Sequence, residues 1–224
     1  MGLSLLFKIV KIKCLISLSY LVMSCTSTTV DEFRQGATGI ESGESVVILG
    51  RRQASDFETR SEFVECIGER MGRGENAISV VPEREFIDAM FPWFEPRTAP
   101  LRASDLEQLM AEDVVALKMN DFGIRYMVWV EGFSETIGRT GSISCTVGPG
   151  GGGCFGFGTW EDDASFNARV WDVTSLRNVG TINTDGTGQS YLPALVVPIP
   201  LLARVEANVC NRLAAQLKDF VNGT

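Results

Sequence analysis

The chain has 224 residues, 45% of them hydrophobic, enough for one domain with a real apolar core beyond a targeting segment. It carries 20 Lys and Arg against 28 Asp and Glu and no histidine. A body this acidic repels phosphate backbones, which argues against nucleic-acid binding, and the lack of imidazole removes the usual general base of Ser-His-Asp chemistry and the commonest zinc ligand.

The first 24 residues have the order of a bacterial signal peptide. Lys8, Lys11 and Lys13 stand without any acid, an apolar run CLISLSYLVM follows at 14–23, and the small Ser24 precedes Cys25. That run is too short to cross a bilayer as a helix, which needs about 20 apolar residues. Leu21-Val22-Met23-Ser24-Cys25 resembles the lipobox of bacterial lipoproteins, with Met23 a less usual occupant of its middle position. The resemblance implies acyl chains on Cys25 and, with Thr26 rather than Asp next in line, sorting to the outer membrane with the domain facing the periplasm. Several acyl chains hold a protein to a bilayer where one would be marginal. Removal of the peptide takes three lysines with it and leaves a net charge near −11 by composition.

Residues 25–44 read as the lipidated tether, rich in Thr, Ser, Gly and acids, and residues 45–224 as a single globular domain. Val46-Val47-Ile48-Leu49-Gly50 is the pattern of a strand covered on both faces. Thr59 to Arg73 has helical spacing, with Thr59 and Glu62 in the form of a capping box. Ile78–Val81 predicts a second strand, after which Pro82 suits the start of a helix carrying Phe86, Ile87 and Met90. Ser104 and Glu107 offer another capping box, opening one helix that runs to about Asn120. A meander follows, with strands expected at 124–135, 141–147, 154–160, 164–174 and 179–184, and no long alternating hairpins of membrane-spanning character. The stripe Leu202, Val205, Val209, Leu213, Leu217 and Phe220 predicts a closing amphipathic helix from about Pro200. The fold class is therefore α/β (α+β), a mixed β-sheet with flanking helices.

This element order, together with VVILG at 46–50, ISVVPEREF at 78–86, IRYMVWVEGF at 124–133 and ARVWDVTSLRNVG at 168–180, resembles the CsgG-like bacterial lipoproteins. That group includes the curli-secretion lipoprotein and the lipoprotein activators of penicillin-binding proteins, and its domain looks like the amino-terminal domain of TolB. The resemblance implies an envelope protein working by protein contacts, with a homo-oligomer among the possibilities, and it places Asp172 and Thr174 at a turn between strands.

Setting aside Cys14 and Cys25 leaves an even set of four cysteines, and no CxxC pair or histidine supports a metal site. Cys145 and Cys154 bracket TVGPGGGG and can meet across a hairpin. Cys66 and Cys210 lie at the edges of the apolar stripes of the first and last helices, where two helices on one sheet face touch. The pairs 145 with 154 and 66 with 210 are preferred to the other two connectivities.

No catalytic, metal or cofactor residues are assigned. The glycine run at 148–158 lacks the Lys-Ser/Thr of a phosphate loop and opens no helix. Glu161, Asp162 and Asp163 could serve a carboxylate-dependent hydrolase or hold calcium, but without EF-hand spacing they read as a solvated turn. Phe91 to Pro100, with three prolines, two phenylalanines, Trp93 and Arg97, is the most unusual segment. Trp93, Phe94 and Arg97 are residue types of binding hot spots, although aromatic loops also plug the open end of a core. The leading reading is a non-enzymatic outer-membrane lipoprotein with an envelope protein partner; the alternatives are a subunit of an oligomeric secretion channel or an envelope hydrolase.

Overall fold

In the computed structural model, residues 26–51, 58–95, 97–100, 103–149 and 151–224 are described. Cys25 lies outside them, as does the whole targeting segment. The fold is a six-stranded mixed sheet with helices, α/β as expected. The strands are β1 (Thr26–Arg34), β2 (Ser45–Gly50), β3 (Ser79–Val81), β4 (Ile124–Gly148), β5 (Gly151–Asp172) and β6 (Arg177–Pro198), ordered β1-β6-β5-β4-β2-β3. The helices are α1 (Ser61–Met71), α2 (Glu83–Ala89), α3 (Ala103–Met110), α4 (Asp113–Asp121) and α5 (Val205–Asn222).

Contacts divide the described chain into two compact units. The larger comprises Ser27–Glu135, Asp163–Thr187 and Arg204–Thr224, and the smaller Thr136–Asp162 and Gly188–Ala203 with Thr26. Strands β4, β5 and β6 each contribute residues to both.

In the larger unit β2 is parallel to both β3 and β4, with Ser45 opposite Ser79 and Gly50 opposite Val130. All six β2 residues are buried, because successive side chains of a strand point to opposite faces and both faces are covered. On one face α1 and α5 lie against the sheet. A Cβ built on Gly50 would meet Val64 of α1, and Cβ atoms on Gly180 and Gly186 would meet Phe220 and Val209 of α5. On the other face Val47, Leu49, Met127, Trp129 and Trp171 form one cluster with Phe86, Met90, Leu106, Met110, Val115 and Met119.

Several boundaries differ from the sequence reading, each for a physical reason. Residues 26–34, expected within a flexible tether, form an edge strand whose side chains alternate between exposed and half-buried, as a Thr- and Val-bearing segment does on a pleated surface. Thr59 does not cap α1; its buried hydroxyl donates to the Val130 carbonyl at 3.1 Å, and no side chain caps that helix. Ser104 lies inside α3 rather than at its cap. The helix expected over 104–120 is two helices, since Leu106 and Met110 are buried and then Val115 and Met119. The five-residue step from 110 to 115 cannot keep all four on one face of a continuous helix. The five short strands expected over 124–184 are three strands of 25, 22 and 22 residues, so long hairpins are present after all. Glycine permits it: Gly141 (φ +96°) and Gly156 (φ +147°) take a backbone conformation that favours glycine and sit where any Cβ would strike the neighbouring backbone, so the strands continue through them. The closing helix begins at Val205 instead of Pro200; before it, Leu201 bridges back to Tyr191.

Candidate functional site

Among the described residues no helix is long and apolar enough to cross a membrane, and no group of three or more His, Cys, Asp or Glu is placed to hold a metal ion.

Cys66 of α1 is bonded to Cys210 of α5, and Cys145 of β4 to Cys154 of β5. The first bond joins residues 144 apart in sequence, between helices whose Phe63, Ile67, Leu213 and Leu217 are buried. The second closes the β4–β5 hairpin over nine residues of separation.

The segment 91–100 does not gather its three singled-out residues into one surface. Phe94 is buried edge-on against Phe86, ring centroids 4.9 Å apart, and so plugs the core. Trp93 is half-buried, with the Lys118 ammonium 5.2 Å from its ring centroid while the same Nζ donates to the Ala89 carbonyl at 3.1 Å. Thr98 Oγ1 donates to the Pro92 carbonyl and closes the loop on itself. Arg97 is exposed and stands apart from that cluster.

Apolar side chains also face solvent on this loop and on α4. Phe91 is 62% exposed, and on α4 Val114 and Leu117 are 56% and 67% exposed. Val114 and Leu117 are three apart and so neighbours on one helix face, and Lys118 ties that helix to the loop. The single helix expected from Ser104 to about Asn120 would set Val114 and Leu117 on the same stripe as Leu106 and Met110, because it runs through the break at 111–112. The apolar residues left over when the helix restarts with a new phase were the signal available.

The acidic run 161–163 is split by strand alternation, which sends successive side chains to opposite faces. Asp162 accepts hydrogen bonds from Thr136 Oγ1 at 2.6 Å and Ser190 Oγ at 3.0 Å, and Ser190 Oγ in turn accepts from the Ala203 amide at 2.9 Å. Asp162 thus braces the strand ends of the smaller unit. Glu161 is exposed, and Asp163 Oδ1 is buried with no hydrogen-bond partner among the described residues. Asp172 fixes a turn: its Oδ1 accepts from the amides of Thr174 and Ser175 at 2.9 and 3.0 Å and from Arg125 Nη1 at 2.5 Å.

The smaller unit holds the second apolar surface. Its described residues form strands, a turn and a short return segment, with no helix over them. Val147 is 91% and Leu195 80% exposed, and Phe155, Phe157, Val196, Val197, Ile199 and Leu202 are exposed as well.

No protein-family model matches the sequence, and no curated protein does. Among solved structures, the PelC dodecamer of Paraburkholderia phytofirmans and a point variant of it are similar at 14% and 11% identity. Each match covers 88% of this chain and 99% and 100% of the PelC chain, with a TM-score of 0.40 in both cases. Likeness of this degree says nothing of what the chain does.

Proposed function

We propose that the chain is an outer-membrane lipoprotein of the CsgG-like group, held by acyl chains on Cys25 with a TolB-like domain facing the periplasm, and that it acts through protein contacts as an assembly or regulatory module of the cell envelope. The observation that carries this reading is the exposed apolar surface of Phe91, Val114 and Leu117 on two elements bound together through Lys118. Apolar side chains left bare on adjoining elements are the mark of a contact surface, since isolated ones need no explanation but a grouped set does. The resemblance of residues 21–25 to a lipobox supports the anchor, and the paired cysteines fit a chain that matures in an oxidising compartment.

A photo-crosslinking amino acid in place of Leu117 tests this in intact cells. It should give an adduct with one envelope protein, and Phe91→Glu should abolish that adduct while leaving the melting temperature unchanged. Retained crosslinking in the Phe91 variant, or adducts to no defined protein, would dismiss the contact surface. Mass spectrometry of the amino-terminal peptide tests the anchor separately, by the presence of acyl chains on Cys25.

A second reading, a subunit of an oligomeric secretion channel, is supported by the 25-, 22- and 22-residue strands β4, β5 and β6, because long strands with open edges pair readily with further strands. Light scattering on the detergent-solubilised protein tests it: a closed assembly of defined size is expected on this reading, and a strict monomer counts against it.

A further inference from the structure

The smaller unit differs from the rest of the molecule in charge. Residues 140–160 and 190–203 contain no Asp, Glu, Lys or Arg, in a chain that is 21% charged. The charges resume at once on either side, with Arg139 before the first stretch and Glu161 after it. The polar residues inside the stretches are small and uncharged: Ser142, Ser144, Thr140, Thr146, Thr159 and Ser190.

Many of the large apolar residues in these stretches are exposed, Val147, Phe155, Leu195 and Val197 among them, while Ala194 is buried. Residues 144–148 of β4 are consecutive strand residues and all exposed, so neither side of that strand is covered there, and Leu195, Val196 and Val197 of β6 are exposed as well. A protein partner seated on a sheet covers one face; an apolar solvent surrounds both. Trp160, half-buried, adjoins Glu161, and Tyr191, also half-buried, bridges to Leu201, three residues before Arg204. Amphipathic rings at the junction of an apolar and a charged zone are the pattern of residues at headgroup level.

We infer that the uncharged end of the smaller unit enters a lipid surface, with the hydrocarbon of a bilayer as its partner and Val147, Phe155, Leu195 and Val197 as the penetrating side chains. This attachment is carried by the protein itself and does not rest on lipidation of Cys25 or on the Phe91 surface. Its depth is set by hydrogen bonding. The unit is an open sheet, and unpaired amide and carbonyl groups at its edges cannot enter hydrocarbon. Part of the β6 edge is met internally, where the return segment donates from Ile199 to the Pro193 carbonyl at 3.0 Å and Leu201 exchanges bonds with Tyr191 at 2.8 and 2.9 Å. The remaining edge stays where headgroup water reaches it, so the side chains penetrate about 5–10 Å, as interfacial elements do.

The test uses the protein isolated from its native membrane and reconstituted in vesicles of phosphatidylcholine, with and without bromine on the acyl chains. Tryptophan is added singly by Phe155→Trp, Leu195→Trp and, as a reference in the larger unit, Leu117→Trp. The fluorescence added over the parent protein should be blue-shifted and quenched by brominated lipid for the first two and water-like for the third. Adding Val147→Asp and Val196→Asp to the Leu195→Trp protein should reduce that quenching about tenfold at limiting lipid, with an unchanged melting temperature, because each charge would have to enter the acyl boundary. The inference is overturned if the Leu195→Trp signal stays water-like, if the aspartate pair leaves the quenching unchanged, or if the signal is shielded without quenching while a crosslinker at 195 joins two copies, which would make a second copy the occupant.

Discussion

The two units are built from the same three strands and stabilised in different ways. In the larger unit the sheet is covered by α1 and α5 on one face and by α2, α3 and α4 over β2 and β4 on the other, and its largest side chains, Trp129, Tyr126 and Phe63 among them, are almost fully buried. In the smaller unit the strands have little to bury against: apolar side chains stay in solvent, and the local ties are backbone pairing, one disulfide and the Asp162–Ser190–Ala203 chain of hydrogen bonds. The lesson is that strand formation here does not need a two-sided core. Glycines at close backbone approaches and hairpin closure carry the strands beyond the region that hydrophobic burial stabilises.

This contrast implies a gradient of mutational cost. Cys66→Ser with Cys210→Ser should be the most damaging change, lowering unfolding free energy by about 5 kcal/mol in the chain-entropy relation, because the bond closes a loop of 144 residues of separation. Urea denaturation measures it. The same pair of changes at Cys145 and Cys154 opens a separation of nine, worth about 3 kcal/mol by that relation, and confined to the smaller unit. An equal loss of global stability from both would break the distinction between the units.

Next in size, Phe63→Ala removes a buried ring stacked on Phe166, with centroids 3.7 Å apart, and should cost about 4 kcal/mol in the same assay. Gly186→Val probes the sheet surface under α5, where even a Cβ would come within 2.4 Å of Val209 Cγ2. Overpacking there should cost about 1–3 kcal/mol and lower the melting temperature. The smallest effect is expected at Leu195→Asp, within about 0.5 kcal/mol of the parent, since the side chain is 80% exposed. A loss of more than 2 kcal/mol at that position would mean that the smaller unit has a core after all.

The parts of the fold that were legible in the sequence are those where one local pattern decides the outcome. VVILG could only be a strand covered on both sides, Phe63, Val64, Ile67 and Met71 lie on one helical face, and the stripe of α5 runs from Val205 to Phe220. The two cysteine pairs found at bonding distance are the ones their positions on those stripes and across the hairpin favoured. Of the segment 91–100, its two possible roles were legible but the division between them was not: Phe94 fills the core, Trp93 lies under Lys118, and the exposed apolar surface falls to Phe91 and to α4.

By itself, the order of residues determined the covered strand VVILG, the buried faces of α1 and α5, the absence of imidazole and the uncharged composition of 140–160 and 190–203, because each depends on side chains near one another along the chain. Only the tertiary structure decided where the strands end, that Thr59 bonds β4 instead of capping α1, that one helix becomes two at 111–112, and that residues 26–34 join the sheet edge. Those outcomes turn on which distant backbone or core position competes for a residue. A strand's length in particular is set by the neighbour it pairs with, and glycines that signal a loop when read alone become points of close approach once a partner strand lies alongside.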